Sequence, residues 1–333
     1  MRADRAKTRS RERDMPSLDF PLEQLKQYKG SSPKPSDFDA YWADALKELD
    51  GVEAAPSIVP SDFQAPNADC FDLTFTGVKG ARIYAKYLRP KHAEKPHPAV
   101  LLFHGYSGNS GDWQDKLSLV SLGFSVFAMD CRGQGGKSED VGGVVGNTLR
   151  GHIIRGLDAG AEHLLFRHIF LDTVQLARVA MAMPEVDSER VGVMGASQGG
   201  ALAVACAALE PRIKRCVSVY PFLSDYRRVW QMDLAKDAYE ELRLYFRLFD
   251  PRHEREDAVF ERLGYIDVQY LAERIQAEVL MAITLMDNIC PPSTQFAVYN
   301  RIASTKQNVV YPDHAHEGLP GFADEAFRFL SKL

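Results

Sequence analysis

At 333 residues, with 45% hydrophobic and 26% charged residues, the chain has the size and composition of a globular protein able to bury a large core. Its formal net charge of −5 gives nucleic acid and anionic membranes no electrostatic reason to bind, and no apolar run approaches the roughly 20 residues of a membrane span. Partners on these grounds are small and neutral.

Residues 1–14 hold Arg2, Arg5, Lys7, Arg9, Arg11 and Arg13 with no apolar block behind them. A secretory signal needs such a block, and Asp4, Glu12 and Asp14 argue against an organellar transit peptide. We expect a disordered basic extension over 1–14, a single α/β domain over 15–333 and a cytoplasmic protein. Residues 36–49 then predict an amphipathic helix, with Ser36 as cap and Phe38, Tyr41, Trp42, Ala45, Leu46 and Leu49 as its apolar residues. A hairpin follows, Cys70–Thr76 and Arg82–Leu88, turning at residues 77–80.

Continuous apolar strands are expected at Pro98–Phe103, Phe124–Met129, Val191–Met194, Cys216–Tyr220 and Val279–Thr284, with a short last one at Asn308–Tyr311. Helical patterns lie between or after them at His168–Met183, Ala201–Leu209 and Phe322–Leu333. Such alternation predicts a mostly parallel sheet covered on both faces, a three-layer sandwich with its chemistry at the carboxyl ends of the strands. Two long insertions, 133–160 and 222–270, are placed to roof a site there. The five cysteines, Cys70, Cys131, Cys206, Cys216 and Cys290, form an odd, scattered set without a C-x-x-C pair, which reads as reduced core thiols and no metal site.

Chemistry enters at Gly195-Ala196-Ser197-Gln198-Gly199, between a strand pattern and a helix pattern. A serine on that turn is held in a strained, exposed position, and the glycines on either side let the backbone bend sharply. The Gln198 amide opens the helix without an intrahelical acceptor, so it is free to meet a developing oxyanion. A serine nucleophile needs a base and an orienting acid, which follow it in the order acid, then histidine. Asp287 follows the Val279–Thr284 strand most directly, ahead of Asp267, Asp313 and Asp324. His253 sits in a polar insertion, whereas His314 and His316 both follow the last strand, and spacing does not choose between them. The second oxyanion donor is expected from the loop after Phe103, at the Tyr106 amide; Arg132-Gly133-Gln134 reads as a structural motif.

Arg132-Gly133-Gln134, Gly195-x-Ser197-Gln198-Gly199 and His316-Glu317, in that order, resemble the signature blocks of the acetyl xylan esterase / cephalosporin C deacetylase family, with Asp19-Phe20-Pro21-Leu22 and residues 285–294 adding to the likeness. The resemblance implies an α/β-hydrolase fold, His316 as base, Asp287 as acid, and the Tyr106 and Gln198 amides as oxyanion donors. It also implies a small acyl pocket walled by Tyr106 and Pro221, and no metal or organic cofactor. The implied substrates are acetylated xylo-oligosaccharides, other acetylated sugars and cephalosporin C, and the implied assembly is a cytoplasmic homohexamer. The alternative is an esterase or lactonase of the same fold with another acyl preference.

Overall fold

The computed structural model describes residues 18–93, 96–143 and 148–333, so the basic extension lies outside the described residues. Nine strands form one sheet: β1 Ser57–Pro60, β2 Ala68–Thr76, β3 Arg82–Pro90, β4 His97–Phe103, β5 Ser125–Met129, β6 Val186–Ala196, β7 Arg215–Val219, β8 Glu278–Thr284 and β9 Lys306–Tyr311. Their order across it is β1-β2-β3-β5-β4-β6-β7-β8-β9. The first three strands pair antiparallel, as does β3 with β5, and every pairing from β5 to β9 is parallel.

The apolar strands are buried on both faces because successive side chains point opposite ways. Leu101, Phe127, Cys216 and Met281 join one core with the helices Leu165–Met181 and Gln198–Leu209. Their strand neighbours Val100, Val126, Val217 and Leu280 join the other, under the helix Phe322–Leu330. This is the three-layer α/β-hydrolase arrangement expected from the sequence.

Boundaries moved where tertiary contacts took over. The first long helix runs Phe38–Asp50, and Ser36 does not cap it. Its N-cap position is Asp37, whose carboxylate accepts the Tyr265 hydroxyl at 2.5 Å instead of a helix amide. The exposed strand β1 was not expected, since it carries no apolar alternation and ends in proline. The helix expected from His168 begins at Leu165, and the nucleophile strand is 11 residues long.

Candidate active site

Four loops meet at the carboxyl edge of the sheet, following β4, β6, β8 and β9. Phe103 pairs with Gly195 and Thr284 with Tyr311, so the register brings the loops out side by side. Ser197 follows β6 directly with φ 57° and ψ −120°, and the next helix starts at Gln198. Crowding enforces glycine on both sides. A Cβ on Gly195 would lie 2.3 Å from the Gly199 carbonyl, and one on Gly199 would lie 2.0 Å from the Phe103 oxygen.

Asp287 is fully buried three residues beyond β8. The amides of Ile289 and Cys290 each donate to its Oδ1 at 2.8 Å, and His316 Nδ1 lies 2.8 Å from its Oδ2. A carboxylate only accepts, so the His316 proton sits on Nδ1 and Nε2 keeps a lone pair. The structure thus separates the two histidines: His316 meets Asp287, while His314 packs its ring on Tyr311. His253 lies on the surface beside Glu256, as its polar setting suggested.

Ser197, His316 and Tyr106 line one open pocket of about 390 Å³. No hydrogen bond joins the Ser197 side chain to His316 among the described residues; the serine hydroxyl lies close enough to the Cys290 thiol to draw its pKa down against the effect of burial. Catalytic serine–histidine bonds are often long without substrate and tighten when it arrives. Leu149 and Arg150 from one insertion and Asp237 and Ala238 from the other complete the mouth, so both insertions reach the site. Pro221 is buried and does not line this pocket. A larger cavity, about 470 Å³ between Arg155, Leu157, Tyr245 and Phe249, holds neither Ser197 nor His316.

The Tyr106 and Gln198 amides have no acceptor among the described residues, as oxyanion donors require. Their loops are tied together by side chains. Gln134 and Gln198 form a reciprocal amide pair at 2.9 and 3.0 Å, and Gln134 Oε1 also takes the Ser107 amide at 3.0 Å. His104 Nε2 accepts the Cys131 amide at 2.9 Å, leaving Nδ1 to donate to the Gly105 carbonyl at 2.7 Å. Burial holds the His104 pKa below its ordinary value, which keeps it in the neutral form this double role needs.

Arg132 is fully buried and donates from Nε and Nη2 to the two oxygens of Asp172, at 2.7 and 2.6 Å, and from Nη2 to the Val78 carbonyl at 3.0 Å. Burial pushes Asp172 up to about 6, against the pull of the guanidinium. Gly133 has φ +69°, and a Cβ there would lie 2.7 Å from Arg155. All five cysteines are free and buried. Asp287, Cys290 and His316 bring candidate metal-ligand atoms within 4.8 Å of one another. Burial, then the Asp287 charge, lifts the Cys290 thiol well above its usual pKa.

Sequence reasoning passed over Asp172 and Glu241. Each lies far along the chain from the group it touches, and a buried carboxylate in a helix carries no local signature.

Strand order, a strained serine between strand and helix, and an aspartate–histidine pair from the loops after β8 and β9 define an α/β-hydrolase of the serine type. Comparison narrows this further. The family model for acetyl xylan esterase matches residues 15–333, and the chain belongs to that family. It is similar to an acetyl xylan esterase from Thermoanaerobacterium sp. JW/SL YS485, with a TM-score of 0.91 and 62% identity over 95% of this chain and 99% of that one. An acetyl xylan esterase from Paenibacillus sp. R4 superposes with a TM-score of 0.88 and 35% identity, covering 94% and 99%. The acetyl esterase Axe7A of Xylanibacter ruminicola is 28% identical over 303 residues, 89% of this chain, which spans 66% of the length of that curated relative.

Proposed function

We propose that the chain is a serine esterase that removes acetyl groups from small acetylated carbohydrates, with Ser197 as nucleophile, His316 as base and Asp287 as its orienting acid. The observation that carries this reading is the buried Asp287–His316 bond opening onto the pocket that holds Ser197. Ser197 Oγ attacks the acetyl carbonyl while His316 Nε2 takes its proton. The negative charge moves to the carbonyl oxygen, where the Tyr106 and Gln198 amides receive it; removing one such donor costs about 2.7–4 kcal/mol. Collapse breaks the ester bond, and the imidazolium returns its proton to the departing sugar oxygen. Water repeats the sequence on the acetyl-enzyme, giving acetate and free serine.

Acetylated xylo-oligosaccharides are the favoured substrates, because both solved relatives above are acetyl xylan esterases. Cephalosporin C is a second candidate through the family resemblance. The same resemblance suggests a cytoplasmic homohexamer, which light scattering tests as six chains against fewer. No helix of the described residues is long and apolar enough to cross a membrane.

The deciding experiment measures kcat/KM for acetate, butyrate and octanoate esters of one leaving group, with Ser197→Ala alongside. A steep fall from acetate to butyrate, lost in the variant, supports deacetylation. A flat or rising profile moves the reading to a general esterase or a lactonase.

A further inference from the structure

Glu241 lies in the first turn of the helix Glu240–Phe249 in the second insertion and is 2% exposed. Among the described residues no cation pairs with it; Arg150 pairs with the neighbouring Glu240 instead. Its carboxylate is satisfied by neutral donors from two other parts of the site. Oε1 accepts the Tyr106 hydroxyl, and Oε2 accepts the amides of Ile153 and Ile154 at 2.7 and 3.0 Å. One side chain therefore joins the second insertion, the first insertion and the loop after β4.

The Tyr106 ring is held from other sides as well. Its centroid lies 5.4 Å from the Phe222 ring and 5.0 Å from His152, edge-on to both. With two rings against its flanks and Glu241 on its hydroxyl, Tyr106 has little freedom to turn. Burial raises the pKa of Glu241, while Tyr106 and the amides of residues 151, 153 and 154 pull it back. Placing a carboxylate there is costly unless the fold uses its several acceptor sites.

We propose that Glu241 is a positioning residue for the deacetylation reaction: by clamping the Tyr106 hydroxyl to the roof it sets both the Tyr106 amide in the oxyanion hole and the Tyr106 ring as the wall that limits acyl size. This rests on the serine esterase reading above. Glu241 touches no reacting atom; it acts through Tyr106. Freeing the tyrosine shifts a donor that must lie about 2.7–3.1 Å from the oxyanion, and a displacement on the order of 1 Å costs about 10²-fold. It also loosens the acyl wall.

The test compares Tyr106→Phe, Glu241→Ala, Glu241→Gln and the Tyr106→Phe/Glu241→Ala pair on acetate and butyrate esters. Tyr106→Phe and Glu241→Ala are each expected to lower kcat for acetate roughly 10- to 10²-fold, with KM within about twofold, and to raise the butyrate-to-acetate ratio of kcat/KM. Glu241→Gln rescues most of the loss, because its amide oxygen accepts the two backbone amides while its NH₂ donates to the tyrosine oxygen. The pair is no worse than the poorer single variant, since both remove the same Tyr106–Glu241 bond. Losses that multiply, or a Glu241→Ala protein with unchanged kcat and acyl profile, overturn the proposal. If Glu241→Ala does not fold, Tyr106→Phe decides alone: it removes one oxygen, leaves the Ile153 and Ile154 amides bonded, and must shift both readouts. Ser197→Ala run alongside separates the two levels. An inactive Ser197→Ala with an unaffected Tyr106→Phe sinks the Glu241 proposal only; an active Ser197→Ala sinks the esterase reading and the proposal with it.

Discussion

At the sheet edge, Ser197 is set by backbone packed against backbone, with no room for a Cβ at Gly195 or Gly199. In the roof, Tyr106 is set by side chains: a carboxylate on its hydroxyl and two rings on its flanks. The first kind of constraint is all-or-none, because a carbonyl 2.0 Å from a new methyl cannot yield without moving a strand. The second is graded, because a hydrogen-bonded side chain can be shortened, exchanged or released while the chain stays folded. On the proposed reading, the edge governs whether the reaction runs, and the roof governs how well and on which acyl group.

Four substitutions sharpen or break that contrast. Ser197→Ala should lower kcat by about 10⁶-fold with thermal stability unchanged, since it deletes an oxygen and no packing; residual turnover near wild type would remove the edge from the chemistry. Asp287→Asn should lower kcat by about 10⁴-fold near neutral pH, because an amide accepting from Ile289 and Cys290 turns its NH₂ toward His316 and forces the wrong tautomer. Circular dichroism should show the fold intact.

Arg132→Met tests the opposite behaviour, stability without chemistry. It strands Asp172 without a counter-ion, and breaking a buried pair costs about 3–5 kcal/mol. Urea unfolding should show that loss, while kcat of the folded fraction stays close to wild type. A large fall in kcat would assign Arg132 to the site itself.

The smallest effect concerns pH. Burial, reinforced by Arg132 and Arg167, lowers the His168 pKa from 6.5 to about 4. Between those values the unfolded chain binds a proton that the folded chain refuses, so the contribution of His168 to stability is complete above pH 6.5 and declines as pH falls toward 4. His168→Gln removes that share. The difference in Tm, variant minus wild type, should therefore rise as pH drops from 7 to 4. A difference independent of pH would mean that His168 is accessible to protons in the folded protein.

Much of the fold was legible because its signals are local. Buried parallel strands must be apolar along their whole length, and a turn that holds serine at φ 57° demands small neighbours, so the parallel strands and the Ser197 turn could be read from residues 98–129 and 191–209 alone. Asp287 could be reached from its place after an apolar strand. His316 could not be separated from His314 by spacing, because both share one loop; the family resemblance implied His316, and it is the His316 ring that meets Asp287 in the folded structure.

By itself, then, the sequence determined the α/β architecture, the serine turn and the loops that carry Asp287 and His316, each written within a few neighbouring residues. Tertiary structure alone decided that Gln134 pairs with Gln198, that Arg132 spends its charge on Asp172, and that Glu241 reaches Tyr106 across 135 positions of chain. The reason is physical. Periodicity and turn chemistry are properties of adjacent residues, whereas a buried polar group finds its partner only when folding excludes water and leaves it one acceptor or donor within reach.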